Sequence, residues 1–300
     1  MQRVLSTYMF ISRKLTSALL DEIAHAGIPA IELFCTRSHF DYHSPQQVRE
    51  LTDWLSGHNL ALHSVHAPTD RDAIPGREGG VPISICDVER LRRIDAVGEV
   101  KRALDLAESI PFRVLVQHLG APRESLDPRK WDAAFNSLEH LVLFAKQRGV
   151  TIALENTPGE LATPANLRHL VEETRLHDLR LCFDTGHAHM EDGLESSFET
   201  MRELVVTTHV HDNHGEKDEH LLPYEGTINW DAAIRILTGG TPATPDLPFV
   251  LELKEQVSLG TPLEASPAST LRGARTVFDK FELALSRKPS GGKDARTAPA

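Results

Sequence analysis

Eight short apolar or β-branched runs, each followed by a helical pattern, set the strongest limit on how this chain folds. They occupy residues 4–10, 30–34, 60–65, 113–117, 151–155, 179–183, 205–210 and 249–253. Strands that alternate with helices are the signature of parallel βα units. The clearest helix carries Trp131, Ala134, Phe135, Leu138, Leu141, Val142 and Ala145 at three-to-four spacing, a stripe that buries one face. Ser44-Pro45, Asp127-Pro128 and Thr163-Pro164 mark three helix starts. Proline at the first helical position gives up no intrahelical bond, because its missing N–H would have no partner there. Eight such units predict a single closed (β/α)8 barrel over residues 1–286. An open doubly wound sheet is the alternative, but Ile11-Ser12-Arg13-Lys14 stands where its glycine-rich turn would follow the first strand.

The loop 69–87, rich in Gly, Pro and charge, follows the third strand and is expected on the catalytic rim as a lid. The stretch 239–248 precedes the eighth strand and is expected on the opposite rim. The tail 287–300, KPSGGKDARTAPA after Arg287, has little apolar content and is expected to be disordered.

Composition narrows the partners. At 300 residues and 40% hydrophobic content the chain is able to bury a large core. Its net charge of −11 disfavours a nucleic-acid partner, although bound divalent cations would reverse the sign locally. Arg90, Arg92 and Arg93 lie among Asp87, Glu89 and Asp95, as on a solvated helix face rather than a basic stripe. No apolar run approaches the ~20 residues that cross a bilayer, and the opening MQRVLSTYMF is too short for a signal-peptide core. Cys35, Cys86 and Cys182 are widely spaced and odd in number, and read as free thiols in a reducing cytoplasm.

Catalytic side chains of such barrels come from the carboxyl ends of several strands. Here those ends carry His66, His118, Glu155, Asp184 with His187 beyond it, His209 and His211, and Glu252. Side chains alternate along a strand, so Ala153 shares a face with Glu155, Cys182 with Asp184, and Val250 with Glu252. Small or apolar residues thus fill the interior below, and polar ones stand at the rim. A lone rim histidine is usually just hydrogen-bonded, but six successive strands delivering ligand-type side chains to one rim point to a shared cation. Converging carboxylates would otherwise repel, and imidazole with carboxylate suits Zn, Mn or Fe better than Ca. His209 and His211 share a face, so either is a candidate ligand. Asp218 and His220 form a further Asp-x-His pair.

The ordered stretches VHAP, VQHLG, IALENTPG, LCFDTGHAHM, HVHDNHGEKDEH and FVLELK resemble the xylose isomerase-like TIM barrel superfamily, which includes sugar isomerases and epimerases and endonuclease IV. The sugar branch implies one divalent ion (Mn, Zn, Co or Mg) on Glu155, Asp184, His209 and Glu252. The endonuclease branch implies up to three zinc ions, adding His66 and His118 with Glu155, and His187 with Asp218 and His220. Ala67-Pro68-Thr69-Asp70 and DTGHAHMEDG stand where nuclease members carry the segments that grip a bent duplex. The expected function is therefore isomerisation or epimerisation of a small sugar or related hydroxy-carbonyl compound through an enediolate. Glu155 and Glu252 would move the proton and His187 would bind a substrate oxygen. His66 and His118 would line the substrate site, Glu32 would bind a distal hydroxyl, and Lys254 a carboxylate or phosphate. A zinc phosphodiesterase acting at abasic DNA sites is the alternative.

Overall fold

Each of the eight runs forms a strand: β1 (Gln2–Ser6), β2 (Ala30–Phe34), β3 (Ala61–His66), β4 (Val114–His118), β5 (Thr151–Glu155), β6 (Arg180–Asp184), β7 (Val205–Val210) and β8 (Pro248–Leu251). The computed structural model describes residues 1–71, 80–174, 176–254 and 267–286. All barrel pairings are parallel, and each strand lies between its neighbours in sequence until β8 closes on β1. Around the barrel run α1 (Ser17–His25), α2 (Pro45–Gly57), α3 (Arg90–Asp105), α4 (Pro128–Lys146), α5 (Pro164–Thr174), α6 (Thr185–Met190), α7 (Leu194–Met201), α8 (Trp230–Thr238) and α9 (Pro267–Ser286). The three proline-marked starts are helix starts: Ser44 accepts from the Gln47 amide, Asp127 from Arg129 and Thr163 from Asn166.

The first strand is shorter than its sequence implies. Residues Thr7–Phe10 form a 3-10 turn, in which the Ser6 hydroxyl accepts from the Tyr8 amide. Thr7 Oγ1 accepts from the Phe34 amide at 2.9 Å, so a side chain takes the place of a ladder carbonyl there. The turn leaves Tyr8 at the mouth of the barrel.

The pleat divides the apolar residues into two compartments. Outward-facing Ile31, Leu33, Leu115, Ile152, Leu154, Leu181 and Leu251 join helix residues such as Leu138, Leu141 and Phe278 in the main core. Inside the barrel, Val4, Ala30 and Val250 make one small cluster and Val114, Val116, Ala153 and Cys182 another. These fill the lower interior, so polar side chains above them stand on a closed floor. Two register shifts, at Ile31/Glu32 and Leu181/Cys182, interrupt the ladders at mid-barrel.

On the loop 69–87, residues Asp70–Arg71 pair antiparallel with Val81–Pro82, and Ile83, Ile85 and Cys86 are buried; residues 72–79 of the expected lid lie outside the described residues, as does the tail 287–300. The stretch 239–248 lies at the strand-start rim, where Asp246 meets the Met1 amino group at 3.2 Å. All three cysteines are free and buried. Among the described residues no helix is long and apolar enough to cross a membrane.

Helix α9 closes the ring through Phe281, fully buried against Trp230 and Phe249 at ring-centroid distances of 5.5 and 5.6 Å. Phe281→Ala should destabilise the protein by about 3–5 kcal/mol through lost burial and the cavity left behind. The urea unfolding midpoint measures this, and an unchanged midpoint would show that α9 contributes nothing to closure.

Candidate metal centre

Register brings the rim residues level. His118 pairs with Glu155 across β4 and β5, Asp184 with His209 across β6 and β7, and His209 with Val250 across β7 and β8. Glu155, Asp184, His209 and Glu252 thereby offer one donor atom each, all within 4.8 Å of one another and all buried. His66, Glu155 and His209 form a second group, and His187, His211, Asp218 and His220 a third.

Hydrogen bonds on the far side of each ring decide which nitrogen faces inward. His209 Nε2 lies 3.1 Å from Glu32 Oε1 and 3.3 Å from Oε2. A carboxylate only accepts, so Nε2 carries the proton and Nδ1 keeps its lone pair. That Nδ1 faces Glu155 Oε2 at 3.2 Å, Glu252 Oε2 at 3.4 Å and Asp184 Oδ2 at 4.0 Å. His66, His187 and His220 follow the same logic, donating Nδ1–H to the carbonyls of Ala67 (2.8 Å), Asn156 (2.9 Å) and Glu252 (2.9 Å). Their Nε2 atoms then face carboxylate oxygens: Glu155 Oε2 at 3.4 Å for His66, and Asp218 Oδ2 at 3.5 and 3.0 Å for His187 and His220. His118 Nε2 adds a contact to Glu155 Oε2 at 3.2 Å.

Lone pairs aimed at carboxylate oxygens repel unless a cation lies among them. His209 Nδ1, His211 Nδ1, Glu155 Oε1 and Asp218 Oδ1 are buried without a hydrogen-bond partner. This donor set fits a divalent ion of the Zn, Mn or Co type. The electrostatics agree. Burial works to lower the pKa of His209, yet the Cys182, Glu252, Glu155 and Glu32 groups outweigh it and hold the imidazole well above its ordinary value. Burial likewise works to raise Glu155, and His209, His118 and His187 hold it well below the usual carboxylate range. Without a metal, protons take the cation's place.

Two expected substrate contacts lie elsewhere. Glu32 is fully buried below the rim, accepts from Ser64 Oγ at 2.8 Å, and braces His209 instead of lining the cavity. Lys254 is exposed and donates Nζ to the Asp218 carbonyl at 2.6 Å, outside the cavity. His209 joins the first two donor groups, whereas His211 belongs to the third, with Nε2 3.9 Å from Asp218 Oδ1 and also 3.0 Å from Asp184 Oδ2. Gly186 packs directly on the His211 ring, where any Cβ would overlap the imidazole.

Sequence reasoning passed over three supports. The Asn156 side chain both accepts from the Asp184 amide (2.8 Å) and donates to its carbonyl (3.0 Å), clamping that ligand's backbone. Asp212 accepts from the amides of Asn213, Tyr224 and Ile228 and from Trp230 Nε1 at 2.7 Å, which fixes the loop carrying Asp218 and His220. Tyr8 lines the cavity, with its ring centroid 4.9 Å from Phe34 and 5.0 Å from His220. Adjacency to Glu155 and His211 was the available signal for the first two; nothing local marked Tyr8. The cavity above the donors, of ≈ 740 Å³ and open to solvent, is lined by Glu155, His187, Asp218 and Glu252 together with Tyr8, Phe34 and Ile83.

Because Glu32 sets the tautomer of His209, Glu32→Gln should weaken metal affinity about 10–100-fold at constant fold. Competition with a chromophoric chelator at fixed pH measures it. An unchanged dissociation constant would remove Glu32 from the centre.

The fold is shared with known proteins. An uncharacterised protein of Methanocaldococcus jannaschii is 29% identical over 240 residues, covering 75% of this chain and 75% of its own length. A solved D-tagatose 3-epimerase-like protein superposes with a TM-score of 0.75 at 24% identity, over 95% of this chain and 97% of its own. The IolI protein, solved with a zinc atom bound, gives a TM-score of 0.71 at 14% identity, over 94% and 98%. The family model described as xylose isomerase-like TIM barrel matches residues 20–268, and the chain belongs to that family.

Proposed function

We propose that this chain is a metal-dependent isomerase or epimerase acting on a small sugar or related hydroxy-carbonyl compound. The observation that carries the reading is the double placement of Glu155 and Glu252. Each has an oxygen beside His209 Nδ1, at 3.2 and 3.4 Å, and each also lines the cavity. The fold shared with an epimerase-like protein and a zinc-bearing relative supports it by analogy.

Glu155, Asp184, His209 and Glu252 would hold the ion, which supplies a Lewis acid for a carbonyl and its neighbouring hydroxyl. Glu155 takes the proton from the carbon beside the carbonyl, leaving an enediolate, and Glu252 returns a proton. Return to the opposite face of the same carbon gives an epimer, and return to the neighbouring carbon an isomer. His66 and His118 keep Glu155 Oε2 engaged, at 3.4 and 3.2 Å, while Oε1 faces the cavity side with His187 Nδ1 3.2 Å away. His187, which lines the same cavity, binds a substrate oxygen.

The group His187, His211, Asp218 and His220 favours a second reading, a multi-zinc phosphodiesterase of the endonuclease IV kind. Such an enzyme needs cations along the path of a phosphate backbone. Among the described residues, no Lys or Arg lines this cavity.

Glu155→Gln and Glu252→Gln should each slow exchange of the substrate's carbon-bound proton with solvent deuterium by about 10²–10⁴-fold, with the circular dichroism spectrum unchanged. Full turnover by Glu155→Gln would overturn the assignment. Elemental analysis of dialysed protein should give about one ion per chain and no cleavage of an abasic duplex. About three zinc ions together with cleavage would establish the nuclease reading.

A further inference from the structure

The cavity contains a carboxylate that no donor group uses. Asp70 lines it together with Glu155, Glu252 and Tyr8, yet belongs to none of the metal-type clusters. Its position is fixed by the short hairpin in which Asp70 pairs with Pro82. Gly80 passes so near that a Cβ there would lie 2.8 Å from Asp70 Cβ. The neighbouring Arg71 turns to Asp95, at 3.4 Å. Asp70 Oδ2 accepts from Thr69 Oγ1 at 3.2 Å. A carboxylate has about four acceptor positions, so capacity remains for a ligand.

Tyr8 supplies the complementary group. It lines the same cavity, and a phenol keeps its O–H as a donor at neutral pH. No cation among the described lining residues offsets Asp70 and Asp218, and Lys254 is committed to the Asp218 carbonyl at 2.6 Å.

We propose that the cavity selects an uncharged polyhydroxy substrate, with Asp70 accepting from one distal hydroxyl and Tyr8 donating to another, and that it rejects the phosphorylated counterpart. A hydroxyl brings the proton that Asp70 requires. A phosphate monoester, carrying about −1.5 to −2 at neutral pH, brings only acceptor oxygens and a like charge. Its desolvated oxygens would meet Asp70 unpaired, which is how a site built for a hydroxyl discriminates. Asp70 and Tyr8 act here on specificity, and neither belongs to a donor group. The inference rests on the reading of this cavity as the substrate site of a sugar isomerase or epimerase.

The test is calorimetric titration of the full Mn²⁺-loaded chain with matched pairs: a free ketohexose and its 6-phosphate, and a free ketopentose and its 5-phosphate. The free sugar should bind at least about ten-fold more tightly in one pair. Asp70→Asn should weaken the free sugar about ten-fold and narrow the gap to its phosphate, with metal content unchanged. The inference is overturned if the phosphate ester binds as tightly or more tightly, if no member of either pair binds, or if Asp70→Asn leaves both affinities unchanged. The wild-type comparison decides the matter even if the variant does not fold. Selective binding of a free sugar without exchange of its carbon-bound proton would sustain this inference and defeat the isomerase reading.

Discussion

The site depends on an electrostatic conflict that the barrel does not allow to relax. His209 Nδ1 faces oxygens of Glu155, Glu252 and Asp184 at 3.2, 3.4 and 4.0 Å, all of them acceptors in a buried space. In open solution such groups would separate and hydrate. Here Glu155, Asp184 and His209 lie at the carboxyl ends of three successive strands, Glu155 and His209 paired on both sides, and Glu252 follows a fourth directly, so moving one out of reach means disturbing the closed ladder. The remaining way to lower the energy is a cation among them, whether protons or a metal ion.

The backbone takes part in that choice. An imidazole ligates through one nitrogen only if its other nitrogen has somewhere to place its proton. The carbonyls of Ala67, Asn156 and Glu252 serve His66, His187 and His220, and Glu32 serves His209. All three of those carbonyls belong to residues immediately beside or within the donor groups, so a local backbone path sets both a donor's position and a histidine's tautomer. His220 itself has a φ of 49°, a left-handed conformation that a non-glycine residue adopts at a cost. The Asp212 network, with four donors on one carboxylate, holds the loop in which that conformation occurs.

Much of this was legible in the sequence, and the gaps have physical causes. Two-residue alternation places Glu155 above Ala153 and Asp184 above Cys182 wherever the pleat is regular, and there the expectation and the coordinates agree. Alternation also puts Glu32 on the inward face, but it carries no information about depth. Ala30 beneath it is small and the register shifts at Ile31/Glu32, so the carboxylate settles inside against Ser64 and His209. Extending the period of β8 assigns Lys254 to an inward face, yet that strand ends at Leu251 and the pleat does not govern residues beyond it. His209 and His211 are indistinguishable by period, and only pairing across strands separates them, since His209 lies level with Asp184 and Val250. Tyr8 and Asp212 act through partners distant in the chain, Asp212 reaching 18 residues to Trp230, and no local pattern encodes such contacts.

These placements divide the labour within the barrel. Donors at strand ends are fixed by the ladder, and their spacing is a property of the barrel itself. Asp70 and Tyr8 come from a two-residue hairpin and a 3-10 turn, elements joined to the barrel by a few hydrogen bonds. On the proposed function, changing them would alter the fit of a ligand without moving Glu155 or Glu252, which would make selectivity separable from proton transfer. Under that reading, chemistry would be set where strand pairing constrains the backbone and substrate choice on the hairpin and turn outside the ladder. That ordering would let a single arrangement of donors serve compounds of different shape while the conflict at its centre stays intact.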